Sequence, residues 1–162
     1  MPDFSELFMQ SKGNPIVYKN KTIVMTDYFP FKEGEQLKIK IEKTSSEWKQ
    51  GVGIYLFGTI EIENIKEKVK DRTFFFENTA PKEIIITLRS EKERQQHSKK
   101  LPKKNILGIK NIWDTGDGVI QSWHFGAAMI VEEIENGRRY YCNDGHPDEN
   151  FDDIVFTVTK LK

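Results

Sequence analysis

The sequence holds a single cysteine, Cys142, which excludes a disulfide framework within the chain and agrees with a reducing compartment. It also lacks net charge. Lys plus Arg and Asp plus Glu both number 25, so no global field draws the chain to nucleic acid or to an anionic membrane. No apolar run approaches a membrane span, and the opening MPDFSELFMQSKGNP has neither the basic nor the apolar stretch of an export signal. A cytoplasmic protein is expected, with no membrane span and no nucleic-acid partner; secretion by a route without a signal peptide stays open.

Catalytic signatures are equally scarce. There is no Gly-rich phosphate loop, no paired-Cys motif and no nucleophile elbow, and His97, His124 and His146 are too scattered for a zinc site. Cys142 near His146, and Ser122 near His124, are neighbours along an extended chain, which does not bring a nucleophile onto a base. Glu132 and Glu133 on a strand point to opposite faces. The protein is not expected to be an enzyme.

What the chain does contain is strand. β-Branched and aromatic residues cluster in short runs bounded by Gly, Pro, Asn and Asp, at 15–18, 21–27, 36–43, 52–63, 71–76, 82–89, 119–134, 138–142 and 153–161. Many short strands in series predict a mostly antiparallel β-sandwich, jelly-roll-like, and the length suits one domain over 1–162. Helix is limited to one or two short pieces. Residues 4–10 suit a single turn or two, and IENIKEKVK reads either as a helix or as a strand followed by a charged loop. Residues 90–105 carry almost no apolar side chain and read as a long exposed basic connection. In VEEIENGRRYYC, Asn136-Gly137 suits a type I′ turn that pairs Glu135 with Arg138.

That hairpin feeds CNDGHPDENFDDIVFTV, an acidic turn at the mouth of a strand. Asp144, Asp148, Asn150, Asp152 and Asp153 offer hard oxygen ligands of the kind calcium takes in irregular geometry, and a bound cation would relieve their mutual repulsion. An EF-hand is excluded, because Asp153 stands where the sharp-turn Gly belongs and no Glu closes the loop. The alternative is a solvated cap that protects a strand end. The segment DGHPDENFDDIVFTV resembles the calcium-loop-then-strand segment of the small bacterial fucose- and mannose-binding β-sandwich lectins. That resemblance implies calcium held by these five residues and a carbohydrate ligand. It covers only this segment, with an extra residue at Pro147 and with Asp152 where those lectins usually carry Asn.

A second acidic turn, WDTGDG, places Asp114 and Asp117 around Gly116 and Gly118, and strand counting puts both turns near one end of the sheet. Trp113, Tyr140, Tyr141 and His146 are the candidate partner-contacting side chains, since aromatic bodies with polar tips suit sugar or protein recognition. Trp123 and Phe125 continue through Ala127, Met129 and Val131 as a period-two stripe expected to face the core. The expected function is a binding protein with a calcium-stabilised loop and a carbohydrate or protein partner. Two alternatives stand beside it: a toxin-neutralising immunity protein that uses no metal, and a secreted toxin component that binds a cell-surface glycan.

Overall fold

The computed structural model describes residues 3–97, 105–146 and 148–161. It is all-β and antiparallel, with two short helices. Helix α1 (Phe4–Gln10) leads into a small hairpin, β1 (Ile16–Tyr18) and β2 (Lys21–Ile23). Then follow β3 (Asp27–Pro30), β4 (Gln36–Thr44), β5 (Lys49–Ile62), β6 (Lys68–Phe76), β7 (Glu83–Ser90), α2 (Lys92–His97), β8 (Ile106–Asp114), β9 (Ala128–Ile134), β10 (Gly137–Asn143) and β11 (Ile154–Lys160).

Neighbouring strands run β3-β8-β5-β7-β4-β11-β10-β9, and β6 pairs with β5. Along one edge β5 exchanges partners, pairing β8 through Tyr55 and β7 from Gly58 onward. The ends of this sheet approach each other. Val24 and Met129 exchange two backbone hydrogen bonds of 2.9 and 2.8 Å, which almost closes the sheet into a barrel. Side chains complete the seam: Asp27 on β3 accepts from Arg138 at 2.9 Å and from the Tyr140 hydroxyl at 2.6 Å, both on β10.

Period-two alternation builds the core. Leu37 and Ile39 from β4, Val52 and Ile54 from β5, Ile84 and Ile86 from β7, and Tyr140 and Cys142 from β10 all turn inward to one apolar cluster. Burial, and then the nearby Asp153 carboxylate, push the Cys142 thiol well above its ordinary range, so it is an inert core residue. A second cluster covers the outside of β9 and β10. Phe4 and Phe8 of α1 pack there on Ile23, Ala128 and Phe151, with Ile130 and Tyr141 beside them. Asp3 caps the helix by accepting from the Ser5 N–H at 2.9 Å.

Several local expectations change. The strand expected over 119–134 begins only at Ala128, and β8, which no alternation announced, occupies Ile106–Asp114. The β9–β10 turn is not type I′: the register pairs Gly137 with Ile134 and Arg138 with Glu133, and of the turn pair Glu135-Asn136 only Asn136 has a left-handed φ, 64°. Gly137 serves another purpose, since a Cβ there would stand 2.0 Å from the Val158 carbonyl oxygen of β11. IENIKEKVK is the end of β5, a charged loop and the start of β6. Within the expected connection over 90–105, Lys92–His97 forms α2, and 98–104 lie outside the described residues.

Candidate functional site

The acidic turn is built inward. Asn143 closes it: its amide nitrogen donates to the Asp148 carbonyl at 3.0 Å, its amide oxygen accepts from the Phe151 N–H at 2.6 Å, and its own carbonyl accepts from Asn111 at 2.8 Å. Asp144 is fully buried. Its carboxylate accepts from the Ser46 hydroxyl at 2.6 Å, the Gln50 amide at 2.9 Å and the His146 N–H at 2.9 Å. Asp153, also buried, accepts from the Asp144 N–H at 3.0 Å. Burial, followed by the nearby Asp144 and Asp148 carboxylates, pushes its pKa up to about 7 against the hydrogen bond that favours ionisation.

The remaining expected carboxylate ligands have partners of their own. Asp148 accepts from the Asn150 N–H at 3.2 Å, Asp152 lies 3.8 Å from Lys43 and Asn150 is exposed. Asp114 accepts from the Gly116 and Gly118 N–H groups at 2.8 and 3.1 Å, which hold its carboxyl below the usual range, and Asp117 accepts from Val119 at 3.0 Å. The two turns are neighbours, since a Cβ at Gly145 would stand 3.2 Å from the Trp113 ring. Their carboxylates do not converge, however. Among the described residues no three His, Cys, Asp or Glu side chains group as a cation cage.

Two of the expected contact residues are core. Trp113 is 2% exposed and Tyr140 not at all, because both lie on the inward face of their strands. Tyr141 is half-buried under α1, and His146 stacks its ring on Trp48 at 3.8 Å with Nε2 3.4 Å from Glu47.

Exposure concentrates instead on the strap 115–127 between β8 and β9. Trp123 and Phe125 were expected in a core-facing stripe. They leave it because the strap turns at these positions, with φ of 51° at each, while Ala127 and Met129 do reach the interior. Trp123 is 39% and Phe125 64% exposed, and the ring of His124 stacks on Trp123 at 5.3 Å. The strap is tied down. Trp113 and Gln121 exchange backbone hydrogen bonds of 3.1 and 2.8 Å, and the Phe125 carbonyl accepts from the Ser5 N–H at 3.1 Å.

Beside the strap, the outer face of β6, β5 and β8, with Thr26 just ahead of β3, holds a depression of about 170 Å³. Register sets two rows across it: Arg72, Tyr55, Gly108 and Tyr28 in one, Phe74, Gly53 and Lys110 in the other. Lys110 reaches the strap through the Ser122 hydroxyl at 3.3 Å. None of these residues was singled out from the sequence; the available signal was glycine inside strand runs, at Gly53 and Gly108, where a side chain or ligand comes close. No protein-family model, no curated protein and no solved structure matches the chain.

Proposed function

We propose that the protein is a non-enzymatic binding module whose partner is another protein, recognised through the strap 115–127. The observation that carries this reading is the run of three consecutive aromatic rings, Trp123, His124 and Phe125, held at the surface with two of them at left-handed φ. Such a backbone costs about 1–2 kcal/mol per residue relative to the ordinary right-handed region, and folding alone gains nothing from exposing the rings. A preorganised aromatic platform reduces the ordering cost of association. Val119 and Ile120, 53% and 42% exposed, extend the patch with apolar surface that offers no hydrogen bonds, which suits a protein face better than a sugar. A toxin-neutralising immunity protein is one member of this class.

A second reading keeps the calcium-stabilised turn and a carbohydrate ligand. It is supported by the Asp144–Asp153 pair, where a cation would replace the proton that Asp153 retains to about pH 7. Two measurements separate the readings: titration against the protein products of adjacent genes, and a glycan array run with and without calcium. The protein-binding reading expects a saturable complex with a neighbouring product. Trp123→Gly or Phe125→Gly should weaken it at least tenfold while the melting temperature holds or rises, since glycine accepts left-handed φ without strain. A calcium-dependent glycan signal with no protein complex, or variants that bind as the wild type does, overturns it.

A further inference from the structure

We infer that the depression on the outer face of β6, β5 and β8 is a binding site for a phosphate-type oxyanion, held by Lys110 and Arg72 with hydroxyl donors around them. This inference does not depend on a protein partner, although Lys110 touches the strap through Ser122.

Glycine makes the room. At Gly108 a Cβ would stand 2.4 Å from the Tyr55 ring, so Tyr55 lies flat on the backbone of β8 in a place no other residue leaves free. At Gly53 a Cβ would stand 3.2 Å from the Phe74 ring and 3.3 Å from Ile112, so the bare backbone lets Phe74 lie low over β5 on one side while Lys110 flanks it by register on the other. Thr26 and Tyr55 bring hydroxyl groups to this floor, and Tyr28 and Tyr55 line the adjoining hollow toward Arg94. Burial, and then the Tyr28 phenol, raise the Tyr55 pKa, so its hydroxyl is neutral throughout the physiological range, with Tyr28 and Thr26 as its hydrogen-bond partners until an anion competes for them.

Charge is the deciding feature. Lys110 is half-buried on a strand whose next outward residue, Ile112, is fully buried. Burial and the like charge of Arg72 both work against its protonated form. Among the described residues, no carboxylate lies within ion-pair distance of Lys110 or Arg72. The acid closest in the chain to Arg72 is already engaged, since Asp71 takes a two-point contact from Arg94 at 2.7 and 2.9 Å. The chain satisfies its buried charges elsewhere, as Asp144 shows with three donors. Lys110, half-buried without a counter-charge, diminishes stability unless an anion arrives, and Arg72, exposed at the rim of the depression, can share that anion. A doubly charged tetrahedral oxyanion matches them in charge, and its several oxygens can use the surrounding hydroxyls; a carboxylate offers one charge and two coplanar oxygens.

The test is a titration followed by amide ¹H–¹⁵N spectra at constant ionic strength, with inorganic phosphate, phenyl phosphate and acetate as probes. Saturable shifts at the Gly53, Arg72 and Lys110 amides are expected with phosphate, at least tenfold tighter than with acetate. Lys110→Met and Arg72→Gln should each weaken phosphate at least tenfold. Lys110→Met should melt no lower than the wild type, because methionine keeps the apolar stem and removes the desolvated charge. Tighter binding of phenyl phosphate supports a monoester with its body against Phe74; equal binding supports the free ion at the same site. Trp123→Gly should leave phosphate affinity unchanged, which separates this site from the strap. Equal responses to acetate and phosphate, or phosphate binding that survives both charge-removing substitutions, overturns the assignment.

Discussion

Replacing Asp153 by Asn tests the buried carboxylate pair directly. In the folded protein Asp153 holds its proton to about pH 7, against an ordinary value of 3.8, first because it is buried and then because Asp144 and Asp148 are near. Between those two values the folded chain binds more protons than the unfolded one, so stability falls as pH rises; below the window the full benefit is present, and above it the loss is complete. A single fully held proton would give a slope of about 1.36 kcal/mol per pH unit, or roughly 2.7 kcal/mol from pH 5 to 7. Asp153 acts within a cluster of carboxylates and water reaches the outer side of the turn, so we expect less than half of this, on the order of 1 kcal/mol. The amide oxygen introduced by Asp153→Asn would still accept from the Asp144 N–H, and the amide cannot ionise. Urea unfolding at pH 5, 6, 7 and 8, followed by tryptophan fluorescence, gives the difference between wild type and variant at each pH. The carboxyls held low by partners, such as Asp71 beside Arg94 and Asp114 in its turn, lose their contribution only at more acidic pH and cancel in that difference. The wild type should lose about 1 kcal/mol relative to the variant across the window. Parallel curves would refute the raised pKa of Asp153.

Gly137→Ala should destabilise the fold by about 1–3 kcal/mol in the same unfolding assay, because the new Cβ meets the Val158 carbonyl of the paired strand and one backbone must shift. Asn136→Gly, at left-handed φ, should cost nothing or stabilise slightly, which distinguishes close approach from turn strain. If the acidic turn takes calcium, millimolar calcium should raise the melting temperature by the equivalent of about 2.7 kcal/mol at a hundredfold excess over Kd, with magnesium doing much less. The double substitution Asp148→Asn, Asp152→Asn should then erase that rise and leave stability in chelator unchanged or higher; no rise in the wild type removes the metal reading.

Strands with one wet face were legible before any coordinates. In β4 the apolar residues alternate with charged ones, and the β4 and β7 runs ended within one residue of where they were expected, although Ile84, Ile85 and Ile86 of β7 interrupt the alternation. β8 was missed for the opposite reason: ILGIKNIWD is buried along both faces, so no alternation marks it, and its single Lys reads as an interruption. The stripe from Trp123 to Val131 had the correct period and the wrong start, because left-handed turns at Trp123 and Phe125 are tertiary features no propensity reports. The acidic turn was found as a cluster, yet which carboxylates face inward depends on Ser46 and Gln50, distant in sequence. Lys110 and Arg72 carry no local mark at all. Their meaning arises only from strand register, which brings residues of β6, β5 and β8 to one spot.

The change of partner along β5 bears on how the chain folds. One continuous strand joins β8 on its first half and β7 on its second, with β6 running alongside both. No contiguous piece of the chain that stops short of β8 can therefore complete its own pairing, because β5 stays half-unpaired until that distant strand has been made. The pairs of β3 with β8, β4 with β7 and β4 with β11 likewise join segments far apart in sequence. Loop-closure entropy must be met before much contact energy returns, a regime that places folding at about milliseconds to seconds. During that interval the edge reserved for β8 is open and apolar, with Val52 and Ile54 beside it, and another copy of the chain presents the same edge. Dilution should thus improve refolding yield more than any single stabilising substitution, since dilution slows the competing encounter and leaves the internal closure unaffected.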